Sequence, residues 1–338
     1  MNHNSNLRFH KWSKKESNTL LQDSKDILDM KNSQLFYPIM SLYFYIHNTK
    51  NSHKRIDFDR NFFIKRILNI VKERSYNSNL IVNCDTFTKN DNLYEEKELF
   101  CKSIPLVDPI HYILNNYNTY YHRSTFLPSN YSYNLQSKIN NMDNMAYIDV
   151  FCSFLFSELT QKDILPNFPI YYGSINGKRD IKYDITEEFY EFEDHPEFIK
   201  MNQKTFEIDC YSNDSESDNS RTKSRTNSSV SSESSNGDIY IAKLKDCPSI
   251  LLFMEKLEGT LEDIIQDDLC IDELKSCFFQ IAFSLAYLQK HYAFTHNDLH
   301  INNIMYSVTD KTFIYYKFNN IYYKVPTFGK IFKIIDFG

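Results

Sequence analysis

Residues 294–338 restrict this chain more than any other stretch. A helical pattern over residues 271–291 places Leu274, Cys277, Phe278, Ile281, Leu285 and Leu288 on one face. It runs straight into the polar passage His296-Asn297-Asp298-Leu299-His300-Ile301-Asn302-Asn303. A Tyr-rich interval follows, and then Ile334-Ile335-Asp336-Phe337-Gly338. An amphipathic helix, a polar loop and an apolar strand in that order can set three polar side chains, Asp298, Asn303 and Asp336, at the edge of one core. Asp298, on a loop after a helix, is placed to take a proton. Asn303 and Asp336 offer the hard oxygen donors that Mg2+ prefers.

The rest of the chain bounds what those residues can serve. At 338 residues it is long enough for two domains or two lobes. A net charge of -6 gives no basic face for nucleic acid. Seven scattered cysteines, odd in number and never in a CxxC pair, read as reduced thiols rather than a disulfide framework or a zinc site. No run reaches the roughly 18 apolar residues of a membrane helix, and no signal peptide opens the chain. The expectation is a soluble, intracellular protein with no membrane partner.

In chain order, residues 1–32 read as a polar arm with one helix, and residues 33–47 as apolar core. Residues 62–71 (FFIKRILNIV) carry apolar side chains at 63, 64, 67, 68 and 71, the spacing of a helix face. Residues 80–87 and 98–106 read as strands around the turn Lys89-Asn90-Asp91-Asn92, with Lys102 facing away from Cys101 and Ser103. Residues 142–162 form a helix with Tyr147, Val150, Phe151, Phe154 and Leu155 in one stripe. A strand over 168–174 ends at Gly173. Residues 184–197, with seven carboxylates and no Lys or Arg, read as a solvated loop. The Ser/Asn-rich segment 212–237 lacks the apolar surface to fold and reads as disordered. Residues 239–244 and 249–254 read as two further strands, broken after Met254 by Lys256-Leu257-Glu258-Gly259.

His296, Asp298, Leu299 and Asn303, followed by Asp336-Phe337-Gly338, resemble the catalytic loop and the Asp-Phe-Gly motif of eukaryotic-type protein kinases. Within that superfamily the chain is most similar to haspin-type kinases and the haspin-like serine/threonine kinases of large DNA viruses. Two features carry this: His300 in Asp298-Leu299-His300, where most kinases have Lys, and the 33 positions from Asn303 to Asp336. Residues 312–333 in that interval read as an added β-hairpin. The resemblance implies an α+β, bilobal fold with an antiparallel-sheet N-lobe and a helical C-lobe that is incomplete. It divides the chain into an extension (1–78), an N-lobe with the Ser-rich insertion (79–257) and the start of a C-lobe (258–338). A fragment is the expectation, completed by a downstream segment or a second chain.

The resemblance further implies an ATP- and Mg2+-dependent serine/threonine protein kinase acting on a protein substrate. Asp298 would be the catalytic base, Asn303 and Asp336 the metal ligands, and His296 the brace of the loop. Lys102 would hold the α- and β-phosphates. Met254 would be the gatekeeper, and Glu255 to Leu257 the hinge that binds adenine. An acidic partner for Lys102 is expected on the helix 142–162: helical phase favours Glu158, similarity to haspin-type kinases favours Asp149. Two departures stand out. No glycine precedes Gly173, so the Gly-rich loop is missing, and Asn297 replaces the usual Arg. A pseudokinase that keeps the nucleotide cleft as a scaffold, and a small-molecule phosphotransferase, are the alternatives.

Overall fold

The computed structural model describes residues 7–9, 12–36, 56–58, 60–118, 133–141, 143–211, 238–266, 270–318 and 320–338. The Ser-rich segment 212–237, residues 37–47 of the apolar stretch and Met142 lie outside them. The strands are β1 (Leu7–Phe9), β2 (Lys31–Leu35), β3 (Ile56–Phe58), β4 (Phe62–Glu73), β5 (Leu80–Thr88), β6 (Leu93–Pro105), β7 (Tyr171–Asp184), β8 (Phe206–Tyr211), β9 (Ile239–Glu255), β10 (Gly259–Thr260), β11 (Ile304–Val308), β12 (Phe313–Phe318), β13 (Ile321–Pro326) and β14 (Lys330–Ile334). The helices are α1 (Lys14–Leu28), α2 (Pro109–Ile113), α3 (Tyr133–Ile139), α4 (Met145–Gln161), α5 (Phe189–Phe192), α6 (Pro196–Met201), α7 (Leu261–Gln266) and α8 (Ile271–Tyr292).

The architecture is mixed α and β around a seven-stranded antiparallel sheet ordered β2-β7-β9-β6-β5-β4, with β8 on the first half of β9. Residues 62–71, expected as a helix, form strand β4. The cause lies in three register shifts, between Ile64 and Arg66, Ile67 and Asn69, and Ile70 and Lys72. Each adds a residue, so the side chains packed into the core, Ile64, Ile67 and Ile70, recur every three positions instead of every two. A repeatedly bulged strand thus imitates helical spacing, while its β-branched residues favour the strand.

Helix α1 lies on the face of the sheet opposite α4, closed at its start by a capping box between Ser13 and Glu16. Its Leu20 and Leu28, with the nearby Met30, are buried against Ile64, Ile67 and Leu251. Asp23 binds Arg66 through both oxygens (2.6 and 3.1 Å) and accepts the Ile67 amide. Strand β2 then pairs along β7. It comes so close at Gly177 that a Cβ there would lie 2.6 Å from the Lys31 carbonyl oxygen, which is why no side chain fits.

Strand β7 does not end at Gly173 but runs on to Asp184, and the two short strands expected at 239–244 and 249–254 are one, β9. Residues 184–197 are not a simple loop either. They hold α5, and with α6 their Phe189, Phe192 and Phe198 join Ile181, Phe206 and Leu244 in a separate small core. The carboxylates around them stay mostly exposed.

Helix α4 is apolar on two sides. Val150 and Phe154 pack on the sheet against Tyr171, Ile250 and Leu252. Phe151, Cys152, Phe156 and Leu159 pack instead against α7, α8, β11, β12 and β14. Hairpin β12–β13 occupies the interval where one is expected, and it buries Tyr316 under α8. Five of the seven cysteines are buried and all are free. No helix among the described residues is long and apolar enough to cross a membrane.

Candidate active site

Lys102 stands on β6 opposite Leu252 of β9, on the face that meets α4. Its Nζ lies 2.6 Å from Asp149 Oδ2 and 2.9 Å from Asp336 Oδ1. Three residues far apart in sequence therefore converge on one nitrogen. Burial alone would depress the ammonium, but the two carboxylates outweigh it and hold Lys102 above the ordinary lysine range. The acidic partner on the helix is Asp149. Glu158 points away, paired with Lys162 one turn on at 2.8 Å.

Helical phase favoured Glu158 because it assumed one inward stripe. With apolar residues on both sides of α4, the buried surface wraps most of the helix, and Asp149 sits at the seam between the two cores, 3 % exposed. Its second oxygen accepts the Phe337 amide at 3.3 Å. One carboxylate thus fixes both Lys102 and the backbone beside Asp336.

Asp336 adopts a left-handed backbone (φ 63°) just past β14, which swings its side chain toward Lys102. Phe337 anchors the turn among Phe156 (5.0 Å between ring centroids), His296 (5.8 Å), Phe294 (6.1 Å) and Phe168 (6.3 Å). His296 Nε2 is 3.0 Å from the Ile335 carbonyl oxygen. The Ile335 amide donates to the Asn303 carbonyl (3.0 Å), and Asn303 Nδ2 donates to the Asp298 carbonyl (2.9 Å). Asn303 is buried, and none of the hydrogen bonds among the described residues uses its Oδ1. Asp298 is the opposite case: its side chain is 75 % exposed, with His300 Nε2 3.8 Å away. The loop therefore holds the backbone of Asp298 rigidly while leaving its carboxylate open to an incoming group.

Met254 is buried beside Val150 and Tyr171. The Glu255 amide donates to the Ile170 carbonyl and the Glu258 amide to Tyr306, which leaves Lys256 and half-buried Leu257 as the turn between them. The Glu255 side chain has a role that sequence reasoning missed. It accepts from Lys333 Nζ (2.8 Å) and from the Ile170 amide (3.0 Å), and Lys333 is 4 % exposed. Asn167 was missed as well. Fully buried, it donates to the Phe332 carbonyl (2.7 Å) and Gln280 (3.2 Å) and accepts from Tyr316 (2.9 Å). Its own carbonyl takes the Ile334 amide. The signal for Lys333 was legible: a lysine inside the apolar run Ile331-Phe332-Lys333-Ile334 needs a buried partner. For Asn167, one Asn among many, there was none.

No family model matches the chain. Two proteins that carry inferred serine/threonine-protein-kinase names are similar to part of it. One, from Dictyostelium discoideum, is 38% identical over 89 residues, 24% of this chain and 7% of its own length. The other, from Acanthamoeba polyphaga mimivirus, is 41% identical over 71 residues, 20% of this chain and 18% of its own length. The chain thus spans less than a fifth of either relative. Together with a fold compatible with a kinase, these partial matches support a protein-kinase-like family.

Proposed function

We propose that the chain carries the phosphoryl-transfer site of a bilobal, haspin-like serine/threonine protein kinase that uses ATP and Mg2+. The single observation behind this is the Lys102 ammonium held between Asp149 and Asp336, with Asp298 and Asn303 tied to the same backbone. Phosphoryl transfer asks little covalent chemistry of a protein; it asks for fixed cations, fixed metal ligands and a carboxylate beside the attacking hydroxyl.

In this reading Lys102 holds the α- and β-phosphate oxygens. Asp336 engages it through Oδ1, which leaves Oδ2 for a metal, and Asn303 offers Oδ1. An all-oxygen pair suits Mg2+, which takes few protein ligands and fills the rest of its shell with phosphate oxygens and water. When bound, Mg2+ would neutralise charge on the transferring phosphate. Asp298 accepts the proton of the substrate hydroxyl as its oxygen bonds to the γ-phosphorus; the bond to the β-phosphate oxygen breaks and ADP leaves. The turn of Lys256 and Leu257 presents backbone to adenine, with Met254 behind it. That the substrate is a protein rests on the resemblance to serine/threonine kinases.

The glycine-free turn between β4 and β5 supports the second reading, a nucleotide-binding scaffold without transfer. Thermal unfolding with and without Mg2+-ATP tests whether the cleft takes nucleotide. At about 100 times Kd a ligand of the native state adds about 2.7 kcal/mol, so the midpoint of the wild type rises, and Lys102→Ala loses the rise. A midpoint indifferent to Mg2+-ATP sinks the proposal.

A further inference from the structure

Residues 74–79 join β4 to β5 and arch over the end of the sheet that holds Lys102: Leu80, the first residue after the turn, pairs with Cys101. The turn reads Arg74-Ser75-Tyr76-Asn77-Ser78-Asn79, with a side chain at every position. It is also pinned. Asn79 Oδ1 accepts the Ser103 amide at 2.9 Å, and the Asn79 amide donates to Asn77 Oδ1 at 3.0 Å. The Lys182 amide, on the extended part of β7, donates to Ser78 Oγ at 2.6 Å. Tyr76 sets its ring edge-on to Tyr211 at the end of β8, 5.5 Å between centroids. A turn bulky at each Cβ and fastened at several points cannot close its amides around phosphates as a flexible glycine turn does.

The same turn carries a guanidinium in that place. Arg74 is exposed, and its guanidinium lies beside the Phe100 ring, 6.0 Å from the centroid. Phe100 precedes Lys102 by two residues, so both point to one face of β6, and Phe100 pairs across the ladder with Met254. The Arg74 guanidinium therefore lies on the face of β6 that carries Lys102, beside the Phe100–Met254 pair. Among the described residues no carboxylate pairs with it, in contrast to Lys102. An arginine held beside an aromatic ring is partly pre-positioned, and its planar fork binds phosphate oxygens in pairs.

We propose that Arg74 binds the polyphosphate of the nucleotide, so that a side-chain cation from the β4–β5 turn does the work that backbone amides cannot do there. This rests on reading the cleft as a nucleotide site. The ligand class is a nucleoside di- or triphosphate, and the phosphates, not the base, are the part Arg74 recognises.

Calorimetric titration of the full chain with Mg2+-ATP and, separately, with adenosine tests it in the wild type, Arg74→Ala and Arg74→Lys. Loss of one charge-assisted contact predicts roughly tenfold weaker ATP binding for Arg74→Ala, with adenosine unchanged and Arg74→Lys between the two. ATP affinity within twofold of wild type in Arg74→Ala overturns the inference and leaves the cleft reading standing. Equal weakening of ATP and adenosine overturns it too, because the arginine would then act only through packing on Phe100. A wild type that binds neither ligand ends both.

Discussion

Asp149→Asn isolates the charge at the junction of sheet, helix and Asp336. The amide keeps the shape of the side chain and an oxygen for the Phe337 amide, but removes the negative charge 2.6 Å from Lys102 Nζ. Removing a partner from a buried ion pair costs about 3–5 kcal/mol when the other charge is stranded. Lys102 is not fully stranded, since Asp336 stays at 2.9 Å, so about half of that, roughly 2 kcal/mol, is expected. For a protein of this size that is a midpoint lower by about 3 °C. Lys102 is held above lysine's ordinary 10.5. Its contribution is fully present below that value and lost only as pH rises through the elevated one, so the loss on Asp149→Asn is flat from pH 6 to 9. Glu158→Gln breaks only a surface pair with Lys162, whose side chain is 63% exposed, and should shift the midpoint by about 1 °C or less. In a Lys102→Met background the sign reverses: Asp149→Asn then removes an unpaired buried carboxylate and becomes neutral or stabilising. Calorimetric melting of the four variants decides it. Equal costs for Asp149→Asn and Glu158→Gln, or an unchanged cost in the Lys102→Met background, would refute the assignment.

Asn167→Ala leaves the Tyr316 hydroxyl and the Phe332 carbonyl buried without their partner. A loss of about 3 kcal/mol in urea unfolding is expected, and a loss under 1 kcal/mol contradicts a fully satisfied network. Glu16 is held down from 4.5 to about 2, first by its hydrogen bond to Lys65 and then by those at Ser13. A carboxyl lowered on folding contributes stability above its unfolded value and loses it as pH falls from about 4.5 to 2. Because its side chain is 40% exposed, screening trims the effect to about 1 kcal/mol. Glu16→Gln should flatten that part of the acid-unfolding profile, and an unaltered profile speaks against the Glu16–Lys65 link.

The legible parts of the fold were those whose pattern had one cause. Helix α8 shows a single apolar face, β5 alternates strictly because it is bulge-free, and the hairpin β12–β13 follows from an interval too long for a plain loop. Strand β4 misled because bulges at every third residue forge a helical period. Helix α4 misled because two cores share it, so phase could not choose between Asp149 and Glu158. Sequence reasoning named Lys102, Asp298, Asn303 and Asp336, and in the fold Lys102 meets Asp336 while Asn303 ties the Asp298 backbone to that of Ile335. It could not find Asn167 or the guanidinium of Arg74 beside Phe100, since both depend on strand order. The placement of β9 between β7 and β6, with its first half shared with β8, lies beyond any local pattern.

Under the proposed function the cleft transfers phosphate with Asp298 as base. The most direct measurement is incorporation of label from γ-labelled ATP into a mixed protein substrate, for the wild type and Asp298→Asn, with and without Mg2+. Mg2+-dependent incorporation by the wild type is expected, with a loss of at least about 100-fold in the variant and Mg2+-ATP binding retained. Equal incorporation by the two proteins, or incorporation that ignores Mg2+, contradicts the proposal.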